Sequence, residues 1–401
     1  MLPDGWRNIE FGKLFDIKSG VGFKYSEYRD KGIPLIKIDN IGYGHIKWEN
    51  KSYLPIEYAN EYPDLLLNEG DILLALNRPI TQNKLKIARV CKNDIPSMLY
   101  QRVGKIYGKS NLSFSDFFYY VFNELIFDFV KNKSIGSDQP FISTNELKTI
   151  KLPLPPLPEQ KKIAAILSTW DRAIEGTEKL LANSQQQKKA LMQQLLTGKK
   201  RLPGFTGEWK ICTLSDVATV QTATSKTQYI CENGERFIVD MGSVNRLGNL
   251  VCTKSTQHNA DLLPKGTLVM PKDDIGGGNI IGRTSYIDRD DLYVLGDHVY
   301  ALHIGDCDSK FLHFLINSYP INKNLRRRAN GTAQLGLGKK DVLRQKIKIP
   351  SEFPEQQAIA AVLSTADEEI TAIESNLSRL RQEKKALMQQ LLTGKRRVKV
   401  D

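Results

Sequence analysis

Apolar residues recur at alternating spacings of three and four in two long stretches, and this pattern predicts two long helices. The first stretch places Ile163, Leu167, Trp170, Ile174, Thr177, Leu181, Ser184, Lys188, Leu191 and Leu195 on one seam. The second places Ile359, Leu363, Ala366, Ile370, Ile373, Leu377, Leu380, Lys384, Leu387 and Leu391 on another. A sustained heptad seam calls for a partner helix, and its polar positions lower stability but can fix the register.

The ends of both helices carry matching signals. Pro158 and Pro354 mark the starts, while Gly198 and Gly394 mark the ends as C-cap glycines with basic residues in the last turn. A helix of about thirty-nine residues spans roughly 58 Å and could hold two domains apart. The alternative is that each helix packs only on its own domain, which would need less length.

The remaining stretches predict an α+β chain with two mixed α/β domains. Short apolar runs such as IPLIKI, DILLAL and TLVMP, separated by Gly, Asn, Asp and Pro, indicate strands. One helix is expected late in each domain, over 115–131 and 309–327, with Ser115 and Ser309 as N-caps. The predicted boundaries are 1–155 and 201–350 for the domains, and 156–200 and 351–401 for the helices.

The two halves of the chain repeat one another. KKALMQQLLTGK occurs at Lys188–Lys199 and again at Lys384–Lys395, and 159–201 aligns with 355–397 without a gap at 26 identical positions of 43. Upstream, LNEGDILLAL corresponds to LPKGTLVMPK, GSDQPFIS to GTAQLGLG, and the segment around Trp6 to that around Trp209. The helices match strongly and the domains weakly, which indicates one scaffold holding two domains that have diverged.

Composition and charge narrow the class of protein. Hydrophobic residues make up 41% and charged residues 25% of the chain, which is typical of a soluble globular protein. The start MLPDGWRNIE lacks the features of a secretory signal, no apolar run reaches eighteen residues, and the five cysteines are scattered. These features predict a cytoplasmic protein with reduced thiols and no membrane span.

The net charge of +12 favours a polyanionic partner, with nucleic acid first and an anionic membrane second. The excess is spread over residues 1–350 rather than concentrated in a tail, so we do not expect a disordered basic arm.

Catalytic and metal-binding motifs are missing from the sequence. It contains no HExxH, no phosphate-binding loop of the Walker type and no GxSxG. The loop DDIGGGNIIG at 273–282 lacks the GxGxxG spacing of a cofactor site, which leaves a flexible turn or a close approach to a nucleic-acid backbone. His298 and His303 would point to opposite faces of a strand, so no metal site is predicted. The sequence predicts no covalent chemistry by this chain itself.

A recognition surface remains as the main hypothesis. Side chains of Arg, Lys, Asn and Gln suit base edges and phosphates, and loops at matching places in both domains carry them. The candidate DNA-binding residues are Arg78, Gln82, Asn83, Lys84, Lys86, Gln101, Arg102, Gln139, Lys272, Asn279, His298, Arg326, Arg327, Arg328 and Gln334. The three consecutive arginines could equally cap a helix dipole or clamp a phosphate.

This layout resembles the DNA-specificity subunit of type I restriction-modification systems. The resemblance covers nearly the whole chain and rests on LPLPPLPEQKKIAAIL with FPEQQAIAAVL, the two copies of KKALMQQLLTGK, and EGDILLAL with KGTLVM. It implies two target-recognition domains in a pseudo-twofold arrangement, each binding one half of a split, asymmetric duplex site. It also implies that the two helices form an antiparallel coiled coil. Their packing positions would be Ile163, Leu167, Trp170, Ile174, Leu181, Leu191, Leu195, Ile359, Leu363, Ile370, Ile373, Leu377, Leu387 and Leu391.

The resemblance further implies partners that carry the chemistry. Two modification subunits would hold S-adenosylmethionine and methylate adenine, and restriction subunits would use ATP and Mg²⁺ for translocation and cleavage. Two alternatives stay open from the sequence: a DNA-binding scaffold of a related phage-defence system with a different effector, and an RNA-binding or structural protein built on the same helical rod.

Overall fold

The computed structural model describes residues 2–109, 111–133, 141–275, 277–331 and 334–400. It divides into two units: Met1–Gly176 with Leu377–Asp401, and Thr177–Asn376. Each unit therefore contains one recognition domain, the first half of one long helix and the second half of the other. The antiparallel pairing of the helices is visible inside each unit.

The first unit is built from short strands, one long domain helix and the beginning of the first long helix. Its elements are β1 (Arg7–Glu10), α1 (Phe11–Leu14), β2 (Phe15–Ser19), β3 (Ile33–Ile36), β4 (Tyr43–Gly44), β5 (Tyr53–Leu54), α2 (Tyr58–Glu61), β6 (Ile72–Ala75), β7 (Ile80–Thr81), β8 (Lys84–Leu85), β9 (Ile87–Arg89), β10 (Met98–Leu99), β11 (Val103–Gly108), α3 (Ser115–Lys133), α4 (Thr144–Leu147), β12 (Lys151–Leu154) and α5 (Leu157–Leu195).

A five-stranded sheet in the order β2-β11-β6-β9-β4 forms the centre of this domain. Strand β11 pairs antiparallel with β2 and with β6, so that Ile106 lies opposite Ile17 and Ile72. A three-stranded sheet β10-β3-β5, the pair β1-β12 and the hairpin β7-β8 complete the domain. Aromatic rings of α3 pack on those near the N-terminus, with the Phe15 and Phe118 centroids 4.8 Å apart, and this burial holds the helix against the sheet.

The second unit repeats this plan with different side chains. Its elements are β13 (Trp209–Thr213), β14 (Ala218–Gln221), β15 (Arg236–Val239), β16 (Ser255–Thr256), β17 (Leu268–Pro271), β18 (Asp273–Asp274), β19 (Ser285–Tyr286), β20 (Tyr293–Leu295), β21 (Val299–Ile304), α6 (Ser309–Asn317), α7 (Tyr319–Arg328), β22 (Leu335–Gly336), α8 (Lys339–Leu343), β23 (Lys346–Pro350) and α9 (Phe353–Leu391).

The central sheet of this domain has the order β14-β21-β17-β19, beside a three-stranded sheet β16-β15-β20 and the pairs β13-β23 and β18-β22. Strand β21 pairs antiparallel with both β14 and β17, as β11 does with β2 and β6 in the first unit. The pairs β1-β12 and β13-β23 are likewise equivalent and join each domain's first strand to the strand just before its long helix.

The second domain departs from the sequence prediction in its late helix. Instead of one helix over 309–327, the chain forms α6 and α7 with a break at Ser318, whose extended backbone is followed by Tyr319 and Pro320. A proline lacks the N–H that would continue a helix, but it suits a first turn. The prediction that Ser309 is an N-cap is also wrong, because the Asp308 side chain accepts the Phe311 N–H at 2.8 Å.

Helices α5 and α9 each contain 39 residues and carry the predicted seams. In the first unit, Ile163 and Leu167 share a core with Leu391. In the second unit, Ile359 and Leu363 share a core with Leu195. All fourteen candidate packing residues are buried or half-buried: Ile163, Leu167, Trp170, Ile174, Leu181, Leu191, Leu195, Ile359, Leu363, Ile370, Ile373, Leu377, Leu387 and Leu391.

Candidate nucleic-acid interface

Equivalent frames of backbone hydrogen bonds surround the end of the central strand in both units. In the first, the Leu76 N–H donates to the Arg102 carbonyl at 2.9 Å, and the Leu76 carbonyl accepts the Ile142 N–H at 2.8 Å. In the second, Lys272 does the same with His298 and Leu337, at 3.0 and 2.7 Å. We call these two places the recognition edges, defined by Leu76, Arg102 and Ile142 and by Lys272, His298 and Leu337.

Each recognition edge carries an exposed residue in the left-handed backbone region. Arg102 has φ +66° and His298 has φ +59°, and the two lie 196 positions apart. This conformation costs free energy for any residue with a Cβ and is uncommon outside glycine, although asparagine, aspartate and histidine adopt it more often than other residues. Strained positions of this kind cluster at functional sites, so their recurrence supports a role for both edges in binding.

The first recognition edge continues into an exposed hairpin. Gln82 and Asn83 form the two-residue turn between β7 and β8, with φ of +53° and +56°, the backbone that tight hairpins favour. The Tyr43 hydroxyl donates to the Thr81 carbonyl at 3.0 Å, and Lys84 lies over the Tyr43 ring. Arg78, just past the end of β6, is also left-handed and exposed. The hairpin therefore presents amide and cationic groups together.

The second recognition edge has a different charge. His298 Nδ1 lies 2.7 Å from Asp273 Oδ2, and its Nε2 lies 3.6 Å from Asp297 Oδ2. Sequence analysis missed Asp273, whose position beside His298 depends on the backbone hydrogen bonds of Lys272 at the end of β17. The imidazole and the carboxylate offer a donor and acceptor pair where the first edge offers the Arg102 guanidinium. The two edges therefore present different hydrogen-bond donors and acceptors.

The glycine loop of the second domain is shaped by a buried carboxylate. Asp274 Oδ2 accepts the N–H groups of Ile280 and Ile281, at 2.7 and 3.3 Å. Gly277 and Gly278, inside this turn, both have φ of +78°, and Asn279 is half-buried. The Asp274 side chain thus fixes the backbone at Ile280 and Ile281, and Gly277 and Gly278 are two positions where only glycine fits without strain.

Some candidate DNA-binding residues have structural partners. Lys86 Nζ donates to the Ile38 carbonyl at 2.7 Å, and burial lowers the pKa of its ammonium group. Arg328 Nη1 donates to the Asp341 carbonyl at 2.9 Å. Gln101 is exposed, with its side-chain amide 3.2 Å from the Tyr100 hydroxyl. Lys86 and Arg328 therefore support the fold, and sequence spacing alone does not reveal these contacts.

The remaining candidates divide by position. Arg326, Arg327 and Gln334 are exposed, Lys272 is half-buried, and Gln139 lies outside the described residues. His303 is a structural residue: its Nε2 lies 2.7 Å from Gln221 Oε1, and burial lowers its pKa. Among the described residues, no group of three or more His, Cys, Asp or Glu side chains could hold a metal ion. No described helix is long and apolar enough to span a membrane.

Reciprocal ion pairs join the two repeats, a feature that sequence analysis did not predict. In the first unit, Arg397 contacts both oxygens of buried Glu159 at 2.7 and 2.9 Å. In the second unit, Arg201 contacts both oxygens of Glu355 at 2.6 and 2.7 Å. The arginine that ends one repeat thus forms an ion pair with the glutamate that begins the other. The signal was present, since both members of each pair are 196 positions from their counterparts.

The seam lysines are paired in the same way. Lys384 contacts Asp171 in the first unit, and Lys188 contacts Asp367 in the second. The Tyr120 hydroxyl also donates to Asp171 at 2.6 Å. A charged pair inside a seam lowers stability relative to apolar packing but penalises any shifted register, which would leave each charge unpaired.

Comparisons with known proteins follow this architecture. The model of a family described as "Type I restriction modification DNA specificity domain" matches residues 3–183 and 206–380. The MjaVIII type I specificity subunit of Methanocaldococcus jannaschii is 44% identical over 202 residues, 50% of this chain and 48% of that protein. The EcoAI specificity subunit of Escherichia coli is 30% identical over 179 residues, 45% of this chain and 30% of that protein. The chain thus spans about half the length of these relatives, or less.

Other similarities extend over the full chain. The putative MjaX specificity subunit of M. jannaschii is 24% identical over 422 residues, covering 99% of this chain and 95% of that protein. The crystal structure of a type I S subunit from M. genitalium superposes with a TM-score of 0.67 at 15% identity, covering 98% and 97% of the two chains. A chain from a structural study of type I complex assembly gives 0.55 at 19% identity, with 98% of both covered. These likenesses establish the shared fold.

Proposed function

Because the chain belongs to the family of type I restriction-modification DNA specificity domains, we propose that it directs a modification complex to a bipartite, asymmetric duplex site. Each recognition domain binds one half of the site. The long helices dock two modification subunits, which bring S-adenosylmethionine, while restriction subunits bring ATP and Mg²⁺. The chain itself supplies recognition and not catalysis, and the complex acts in the cytoplasm.

The proposal rests mainly on one observation: the two recognition edges share the same backbone arrangement but carry different side chains. Both recognition edges have equivalent backbone hydrogen bonds, and each has a residue in the left-handed region at the equivalent position. One presents Arg102 and the other presents His298 beside Asp273. An arginine suits guanine, whereas a histidine and a carboxylate offer other donors and acceptors. Two different half-sites need this combination of constant frame and varied side chains.

The helices show the opposite pattern within the repeated dodecamer, where the solvent-exposed positions are identical. Packing can explain why Leu195 and Leu391 match, but it does not constrain exposed residues. Six pairs in the repeated dodecamer are exposed in both copies: Lys189 and Lys385, Ala190 and Ala386, Gln193 and Gln389, Gln194 and Gln390, Thr197 and Thr393, and Lys199 and Lys395. Two identical partner subunits would account for two identical exposed surfaces.

A groove in the first unit shows what such a surface offers. It has a volume of about 710 Å³, with Ile166, Trp170 and Leu387 on its apolar floor and Ala386 and Gln390 on its wall. Half-buried aromatic and aliphatic side chains bordered by exposed polar side chains are typical of protein–protein contacts. We propose that a modification subunit occupies this groove.

The docking proposal is tested by replacing two equivalent alanines, one on α5 and one on α9, with glutamate. Ala190→Glu and Ala386→Glu each place a charge on a surface shared by both copies, so each is expected to weaken the binding of one modification subunit at least tenfold, since an unpaired buried charge is costly. The matched control is Ala182→Glu, because Ala182 is exposed but corresponds to Ser378.

Native mass spectrometry of the co-expressed complex gives the outcome. The wild type and Ala182→Glu should carry two modification subunits, each single variant one, and the double variant none. Two bound subunits in the double variant would contradict the docking surface.

A further inference from the structure

A large cavity in the second unit is lined by an unusual number of cations. Its volume is about 1250 Å³, and the described residues that line it include seven basic side chains and two carboxylates. Lys188 is already paired with Asp367. Arg283, Lys323, Arg326 and Arg327 contribute the basic wall on the recognition-domain side. A concentration of positive charge in a concave site favours an anionic ligand.

Two guanidinium groups in this cavity are neighbours without an intervening carboxylate. Burial, together with the nearby charge of Arg326, lowers the pKa of Arg283. Arg283 Nε is buried and has no hydrogen-bond partner within the described part of the chain. Its Nη1 has one weak contact, 3.4 Å from the Asn317 carbonyl. Two close cations with unused donors repel each other unless an anion lies between them.

The backbone beside these arginines is fixed by buried amide side chains. Asn322 Nδ2 donates to the Gly282 carbonyl at 2.9 Å, and Asn317 Oδ1 accepts the Thr284 N–H at 2.9 Å. These two contacts bracket Arg283. Its position is therefore set before any ligand arrives, which reduces the entropy cost of binding.

Two glycines of the glycine loop lie beside these arginines in the cavity wall. A Cβ added to Gly278 would lie 3.5 Å from Arg326 Nη2, so the bare backbone lies directly against the guanidinium. Gly277 and Gly278 line the same cavity. The loop follows β18, whose partner strand β22 is adjacent to Gln334, and so the cavity adjoins the second recognition edge.

We propose that Arg283 and Arg326 bind a phosphodiester group of the DNA backbone in this cavity, next to the half-site recognised by the second domain. Planar guanidinium groups donate two parallel hydrogen bonds to phosphate oxygens, and glycine allows the backbone to approach. The contact would position the duplex without sequence preference. The inference rests on the proposed function, since it requires duplex DNA as the ligand.

The test compares full-length variants in binding to a duplex of random sequence, titrated with salt. Arg326→Ala should weaken binding roughly tenfold and reduce the slope of log affinity against log salt concentration by about 0.9. Arg326→Lys keeps the charge, so it should keep the slope while losing part of the affinity. Arg289→Ala is the control, because Arg289 is an exposed arginine of the same unit, outside the cavity.

The outcomes separate this inference from the proposed function. If wild-type protein binds duplex DNA and Arg326→Ala matches Arg289→Ala in affinity and slope, the phosphate site is wrong while the function stands. If Arg326→Ala keeps its DNA affinity but loses a modification subunit in native mass spectrometry, the occupant is a protein and the inference fails. If wild-type protein in its complex does not bind duplex DNA, the proposed function itself fails. Free phosphate that competes at millimolar concentration without changing the slope would indicate an adventitious anion site only.

Discussion

Arg102 and His298 occupy a backbone region that suits glycine better than a side chain with a Cβ. The fold tolerates this at equivalent places in both domains. The strain is compatible with selection for what these side chains contact rather than for stability.

Arg102→Gly should be more stable than Arg102→Ala by about 1 kcal/mol, because glycine removes the left-handed strain and alanine retains it. Both variants should lose DNA affinity to the same extent. Urea unfolding and duplex binding measure the two effects. At Lys24, which has φ −72°, the order should reverse, with alanine the more stable variant. An alanine variant at Arg102 that matched or exceeded the glycine variant in stability would contradict the strain argument.

Glu159 allows a pH-dependent test of its ion pair with Arg397, which joins the two repeats. Burial alone would raise its pKa, but hydrogen bonds from Arg397 and Trp6 outweigh burial and hold the pKa below its usual value of 4.5. Because the folded-state pKa is below that of the unfolded state, the stabilisation is full above the unfolded-state pKa. It is lost as pH falls through the folded-state value.

Glu159→Gln should therefore lower the urea midpoint clearly at pH 7 and much less at a pH below the folded-state pKa of Glu159, where the wild-type carboxyl is also protonated. The control is Glu10→Gln, since Glu10 and Lys13 form an exposed pair at 3.8 Å that contributes little. An equal loss from Glu159→Gln at both pH values would mean that its contribution does not depend on charge.

Individual contacts at the recognition edges could be predicted only in part. Arg78, Gln82, Asn83 and Arg102 were predicted as DNA-binding candidates from residue type and the internal repeat, but the turn that Gln82 and Asn83 form was not predicted. Asp273 was not, because its contact with His298 depends on how β17 ends beside β21. Lys86 and Arg328 were predicted as DNA-binding candidates, although both donate hydrogen bonds to backbone carbonyls of this chain. The local sequence does not distinguish a cation that binds DNA from one that bonds to the backbone.

At the scale of elements, the long helices were predictable because a heptad pattern and cap signals are local. Both contain 39 residues and end at Leu195 and Leu391, three residues before the predicted glycines. The two-residue strands were not, since their pairing depends on tertiary contacts. The break at Ser318 was also missed, although Pro320 follows it, because the apolar spacing continues across the break.

The C-cap glycines provide a matched pair for testing helix termination. Gly198 and Gly394 have φ of +71° and +72°, so alanine is strained at both. A Cβ at Gly198 would lie 3.4 Å from the Trp209 ring, whereas one at Gly394 would lie 2.5 Å from Pro3 Cγ. Gly198→Ala should cost about 1 kcal/mol of unfolding free energy, and Gly394→Ala about 3 kcal/mol. Equal costs in urea unfolding would contradict the described packing of Pro3.

The seam itself is tested by Leu191→Glu with Leu387→Glu. Both leucines are half-buried, and a charge on each seam should cost about 3 kcal/mol at each site. We expect helix pairing or partner assembly to fail while the recognition domains keep their cores. Circular dichroism, thermal unfolding and native mass spectrometry measure these effects. Unchanged assembly in the double variant would contradict the coiled-coil account.

For the whole molecule, the internal repeat has one physical explanation. Positions that would meet identical partners stay identical, as the exposed dodecamer residues do, and positions that would meet different half-sites differ, as Arg102 and His298 do. Each unit contains one arginine–glutamate ion pair and one lysine–aspartate ion pair between the two long repeats. Bipartite recognition by two interchangeable domains is the central claim.

The most direct measurement is the methylation pattern before and after a domain exchange. The chain is co-expressed with its modification subunits in a methylation-free host, and N6-methyladenine is mapped across the genome. The account predicts two short specific blocks separated by a fixed gap. Replacing residues 202–350 with the equivalent domain of another specificity subunit should change one block and leave the other block intact. A contiguous motif, or a change in both blocks, would contradict modular recognition.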